Sequence, residues 1–242
     1  TFGRQDNGFK TPIIESTGSG GGLKLFCAGR GPSTPDVTNA SRRIKKSEVE
    51  LCAKNGINEI IEHKIGYDGI VIANAKNGPN FKLSRKDLYM ALAAKVPCGI
   101  QDGVTCDNES KTWKDVNPSL PDIRIEVYGP PPTSGTRDAF AELGLGGGCK
   151  MIPWIKKFRK KDKSAWKKLC YTVREDGAYI EAGENDNLII QKLVNNPNAV
   201  GVFGFSFLDQ NTDSVKGSIV DGIEPTFESI ASGDYKVSRS LF

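Results

Sequence analysis

Thr133-Ser134-Gly135-Thr136-Arg137 concentrates more chemistry than any other short stretch of this 242-residue chain. It follows a strand-like run, IRIEVYG, and three stiffening prolines, Pro130 to Pro132, and it opens a segment that reads as a helix. Hydroxyls at 133, 134 and 136, the first amides of a helix and one guanidinium then form a surface of donors alone. Donors without acceptors select a multiply charged oxyanion, held most firmly where arginine chelates two of its oxygens.

A second donor-rich stretch is Gly18-Ser19-Gly20-Gly21-Gly22, which runs directly into LKLF. A glycine-rich turn entering a helix gathers backbone N–H groups around phosphate, sulfate or carboxylate. Neither nucleotide pattern fits. Leu23 stands where the second glycine of a Walker loop and the last glycine of a dinucleotide turn belong, and Leu25 stands where the Walker Ser/Thr would be. Ser19, as hydroxyl donor and helix cap, and Gly20 are therefore candidate anion ligands. Arg42, just after Ser41 and before a helix, is placed to reach the same anion, with Arg43 directed elsewhere. Two such turns at strand ends in one α/β chain make a binding crevice.

The elements that must carry these turns are legible as alternating strands and helices, which is α/β architecture. IGYDGIVIAN (65–74), IRIEVYGP (123–130) and AVGVFGFSFL (199–208) read as buried strands. Ser47 is the expected cap of SEVELCAKNG with Gly56 as its stop, and Ser84 with Asp87 forms a capping box before LYMALAAK. Asn185 caps NDNLIIQKLVNN, where Leu188, Ile189 and Leu193 recur at helical spacing ahead of Pro197. KKFRKKDKSAWKK (156–168) has eight basic residues and one acid. Without interleaved aromatic platforms it reads as a solvated helix face, not a nucleic-acid surface.

Composition narrows the function classes. A net charge of +4 is too small to demand nucleic acid and mildly favours an anionic ligand. Six cysteines fall in three sequential pairs, Cys27/Cys52, Cys98/Cys106 and Cys149/Cys170. With no CxxC and a single histidine, His63, a zinc set is poorly served, so three disulfides and an oxidising compartment are expected, although the spacing leaves the connectivity open. No metal and no cofactor are expected. No G-x-S-x-G or HExxH occurs, and His63 reads as a surface residue, so the chain is expected not to be an enzyme. No run approaches the roughly 20 apolar residues of a membrane helix. The start TFGRQDNGFK has no apolar signal-peptide core, as in a mature chain or a fragment.

STGSGGGLK, NASRRIKKSE, YDGIVIAN, TWKDVNPSL, PTSGTRDAF, GENDN and NPNAVGVFGFSF occur in an order that resembles the periplasmic phosphate-binding proteins of phosphate ABC transporters, over nearly the whole chain. The resemblance implies a type II periplasmic-binding-protein fold: two α/β lobes joined by a hinge, closing on dehydrated inorganic phosphate. The first lobe would hold 1–73 with 236–242 returning to it, incomplete at both termini. The second would hold 74–235, with hinges near 73–76 and 235–238. The implied ligands are Ser19 and the amides around Gly20, then Ser134, Gly135 and Thr136, with Asn185 and Asp186 lining the crevice.

Departures from the family pattern give the arginines their roles. Where the better-known branch has an Asp that accepts the phosphate proton, this chain has Arg42, and where that branch has an arginine ahead of SGT it has Pro130. Arg42 and Arg137 are the proposed replacements, and Asp186, Asp68 or a main-chain carbonyl is left as proton acceptor. The family's GSST-like N-terminal loop has no counterpart, and the chain stops at SRSLF where the family continues. A monomeric, secreted protein delivering phosphate to a membrane permease is implied. The alternatives are an extracellular adhesin on the same fold and a phosphomonoesterase using Arg and Ser as donors.

Overall fold

The computed structural model describes residues 13–14, 18–183 and 185–242. The TFGRQDNGFK start, Ser16 and Thr17 of the glycine-rich stretch, and Glu184 lie outside the described residues. The chain divides into two compact units, one reaching Gly66 and regaining Ser240–Phe242, the other spanning Tyr67–Arg239.

The larger unit is organised by a mixed sheet. Its order is Ser238–Leu241, Gly66–Ala75, Val200–Gly204, Val127–Gly129, Tyr179–Glu181, with Val215–Gly217 also pairing with Gly66–Ala75. Gly66–Ala75 runs antiparallel to Val200–Gly204 and to Val215–Gly217, whereas Val200–Gly204, Val127–Gly129 and Tyr179–Glu181 are mutually parallel. The IVIANA half of the Gly66–Ala75 strand is buried throughout. Because side chains alternate along a strand, Ile70 and Ile72 enter one apolar cluster while Val71 and Ala73 enter another, on the opposite face.

The larger cluster joins that strand to Leu88, Tyr89 and Leu92 of the Arg85–Leu92 helix and to Phe140, Leu145, Trp166 and Cys170. The smaller cluster uses Ile189, Ile190 and Leu193 of the Asp186–Asn195 helix. The Ser84–Asp87 capping box forms as the sequence indicates. Glycines let two helices touch on the first face: a Cβ on Gly148 would lie 1.8 Å from the Arg85 carbonyl oxygen, so GLGGGC is spelled for backbone-to-backbone contact. The segment Phe140–Leu145 just before it is a π-helical turn.

Several boundaries differ from expectation. The strand expected at 199–208 ends at Gly204, and Phe205–Gln210 is helical, because the FGFSF aromatic alternation straddles a strand end and a helix start. The strand expected at 123–130 is confined to Val127–Gly129, since the Ile125 amide instead donates to the Lys111 carbonyl at 2.8 Å. The basic run is two helices, Pro153–Lys161 and Lys163–Tyr171, divided at Asp162, whose carboxylate accepts the Ala165 amide at 2.8 Å. The helix expected to be capped by Ser47 starts earlier, as Lys46–Lys54, because Glu48 turns back to accept the Lys45 amide at 2.8 Å. Gly56, at φ +82°, lies just beyond it as expected.

The cysteines form disulfides Cys27–Cys52, Cys98–Cys106 and Cys149–Cys170, with Cα separations of 4.2, 5.8 and 5.7 Å. The first belongs to the smaller unit, whose buried apolar cluster consists of Cys27, Cys52 and Ile57 with partly buried neighbours such as Phe26 and Ile44. Among the described residues no helix is long and apolar enough to cross a membrane, and no group of His, Cys, Asp and Glu is arranged to hold a metal ion.

Candidate anion-binding site

In the larger unit, three adjacent parallel strands each run at their C-terminal end into a helix. Val127–Gly129 leads to Gly135–Ala139, Tyr179–Glu181 to Asp186–Asn195, and Val200–Gly204 to Phe205–Gln210. Parallel direction puts these helix starts along one sheet edge, where their free amides face outward. Ser134, Gly135, Thr136, Arg137, Asn185 and Asp186 all stand on that edge.

Ser134 is the N-cap of Gly135–Ala139: it is buried, and its Oγ accepts the Thr136 amide at 3.2 Å. Asn185 is likewise an N-cap, its Oδ1 accepting the Asn187 amide at 3.0 Å. Asp186 is buried, and its Oδ2 accepts the Gly204 amide at 3.2 Å, which ties two of the three strand ends together.

Arg137 is held by a residue that motif reading does not identify. Its guanidinium carbon lies 4.0 Å from the centroid of the Tyr179 ring, a cation–π contact, and its buried Nη1 has no hydrogen-bond partner among the described residues. Tyr179 in turn donates from its hydroxyl to the Pro130 carbonyl at 2.9 Å. Burial pushes the Tyr179 phenol above its usual pKa, so it remains a donor. Gly129 makes this possible, since a Cβ there would sit 2.1 Å from the Tyr179 hydroxyl. The chain thus fixes the guanidinium from behind and leaves one of its nitrogens unspent. The tyrosine itself was the available sequence signal, because a buried phenol needs a partner, but nothing in the spacing linked it to Arg137.

In the smaller unit the glycine-rich stretch is not a loop. Gly18–Phe26 is helical, so Ser19 and Gly20 occupy the first turn. Glycine in a helix costs about 1 kcal/mol relative to alanine, and at Gly20 packing does not explain that cost: the nearest atom to a Cβ would be Arg42 Nη2, at 3.9 Å. Ser19 does not cap the helix. Its Oγ accepts the Ser41 amide at 2.9 Å and lies 3.0 Å from Ser41 Oγ.

That pairing brings Arg42 beside the helix, where its Nη1 and Nη2 donate to Glu48 at 2.9 and 2.7 Å. Arg43 points away to Glu62, at 2.6 Å. Asp68 of the larger unit is paired with Arg239 at 3.1 Å, and His63 is exposed.

The Arg42 fork, aided by the Lys45 amide, lowers the Glu48 carboxyl from 4.5 to about 2. A depressed pKa gives stability that is complete above the unfolded value and is lost as pH falls toward the folded one. The melting midpoint of the wild type should therefore exceed that of Glu48→Gln most above pH 4.5, with the gap closing toward about pH 2. A gap that stays constant through that window would contradict this role for the pair.

The family model described as the PBP superfamily domain matches residues 1–242, and the chain belongs to that family. Among curated proteins it is 30% identical over 244 residues to the phosphate-binding protein PstS of Staphylococcus saprophyticus, covering 98% of this chain and 62% of that protein. It is 29% identical over 232 residues to protein SphX of Synechococcus elongatus, covering 93% and 57%. The chain thus spans about six-tenths of the length of these relatives. A crystal structure of a possible phosphate binding protein from Planctomyces limnophilus superposes with a TM-score of 0.65 at 26% identity, covering 92% of this chain and 66% of that one.

Proposed function

We propose that this chain binds inorganic phosphate outside the cytoplasm and delivers it, chemically unchanged, to the membrane permease of an ABC transporter. Membership of the PBP superfamily and similarity to proteins named for phosphate binding support the reading. The observation that carries it is the unspent, buried Nη1 of Arg137, on the same short helix whose start carries the Ser134 and Thr136 hydroxyls and the Gly135 amide. A buried donor of this kind is costly unless an acceptor reaches it, and an oxyanion supplies several. Ser19, Gly20 and Arg42 are proposed as further phosphate ligands, with 1–73 and 236–242 as the first lobe and 74–235 as the second. Asn185 supports the crevice from its helix start. Three disulfides agree with an oxidising compartment. The protein acts as a monomer that docks a two-subunit permease, and it catalyses nothing.

Isothermal titration with phosphate tests the proposal directly. Saturable binding with no turnover of a chromogenic phosphomonoester supports it, while hydrolysis of that ester, or absence of phosphate binding, would replace it by the esterase or adhesin reading. Asp186 is proposed as acceptor of the proton that phosphate carries and sulfate lacks. Asp186→Asn should then shift the phosphate-to-sulfate affinity ratio toward sulfate, and a competition titration with an unchanged ratio would remove Asp186 from that role.

A further inference from the structure

The lysine-rich Pro153–Lys161 and Lys163–Tyr171 helices do more than solvate a face. Together with the Lys95–Pro97 and Thr105–Asp107 hairpin they line a hollow of about 640 Å³, open on one side, in the larger unit, within the range of roughly 300–1,000 Å³ typical of small-molecule sites. None of the oxyanion candidates described above lines it.

Its construction follows from helical spacing. Trp154 and Phe158, one turn apart on the first helix, face Ala165 and Leu169, one turn apart on the second, and Ala94 completes an apolar floor. Lys157 and Lys161, again one turn apart, stand beside that floor with Lys168 opposite. All three ammonium groups are exposed, and none has an acidic partner among the described residues, whereas Lys95 at the same cavity is paired with Asp107 at 2.7 Å. Asp102 is the one acidic side chain in the lining. The remaining wall, around Asp102 and Gly103, is a loop closed by the Cys98–Cys106 disulfide, and the break at Asp162 sets the second helix against the first. The hollow is therefore framed by constrained elements.

An apolar floor rejects inorganic phosphate, whose oxygens would go without donors there. An unneutralised lysine rim selects against cations and favours negative charge. We infer that the larger unit carries a second site, for a small organic anion with an apolar body, such as an aryl or acyl carboxylate or sulfonate. The body lies on Trp154, Phe158 and Leu169 and the head group meets Lys157, Lys161 and Lys168.

The test uses the full chain and anilinonaphthalene sulfonate as fluorescent probe, with dodecanoate as competitor. Saturable one-site binding is expected, displaced by dodecanoate and not by a dodecyl trimethylammonium salt. Lys157→Ala/Lys161→Ala/Lys168→Ala, which removes only exposed side chains, should weaken probe binding about tenfold, the sum expected of three exposed charges. Leu169→Gln, in the floor, should weaken it as well. Phosphate titration of the same samples should be unchanged, so this site and the phosphate reading fail separately. Equal probe affinity in the triple-lysine variant, or equal displacement by the cationic amphiphile, overturns the inference. Displacement by an acidic peptide but not by dodecanoate overturns it too, and would make the hollow a protein-docking face.

Discussion

If Arg137 is a phosphate ligand as proposed, Arg137→Ala is expected to lower phosphate affinity by roughly 10- to 150-fold, equivalent to the loss of one charge-assisted hydrogen bond of about 1.5–3 kcal/mol. Lys160→Ala, at an exposed residue of the Pro153–Lys161 helix, should leave affinity unchanged. The large effect follows from preorganisation. The Tyr179 ring, itself anchored by the Pro130 carbonyl and given room by Gly129, holds the guanidinium before ligand arrives, so little side-chain freedom remains to be lost on binding.

A structural role alone would show as lost stability in the absence of phosphate, so melting of the ligand-free variant must accompany the calorimetry. Arg137→Lys separates the two further. It keeps the charge and loses the planar fork, and should recover only part of the affinity. Ser134→Ala should also weaken binding, with a separate cost of about 1 kcal/mol to the helix it caps. Unchanged calorimetry for both Arg137→Ala and Ser134→Ala would discard the ligand assignment.

Loss of the Cys27–Cys52 bond by Cys27→Ser/Cys52→Ser is expected to unfold the smaller unit while the sheet of the larger one stays formed. The bond closes a loop of 25 residues in sequence separation, for which chain-entropy arguments give about 3.5 kcal/mol. Little else is available to offset that loss. The unit's apolar cluster has three buried members, two of them the cysteines themselves, and its helix Gly18–Phe26 is weakened by glycines. The larger unit contains both extensive clusters and two disulfides of its own.

Hydrogen exchange resolves the prediction. Amides of Gly18–Phe26 and Lys46–Lys54 should lose protection in the double variant, while those of Gly66–Ala75 and Val200–Gly204 retain it. Retained protection in both helices would show that polar ties, such as the Arg42–Glu48 and Ser19–Ser41 bonds, suffice without the bridge.

Local rules made much of this protein legible. Helix starts at Ser84 and Asn185, the strand IVIAN, and the donor cluster at Ser134–Arg137 are short-range patterns. A side chain three residues from an amide, or an apolar run of strand length, acts the same way in any context. Patterns that straddle a boundary were not legible. FGFSF alternates like a strand yet divides at Gly204, and GSGGG, composed like a loop, is wound into a helix whose serine bonds Ser41, 22 residues away.

Composition and local pattern were enough for the α/β class, the donor-only chemistry of the Ser134–Arg137 turn and the presence of six pairable cysteines. Folding settles which cysteines join, that Tyr179 backs Arg137, that Arg42 is bound to Glu48, and that a basic run with solvated lysines also lines an apolar hollow. The reason is physical: hydrogen-bond capacity and periodicity belong to a residue and its near neighbours, whereas pairing, burial and the filling of space depend on partners that only the folded chain brings within reach.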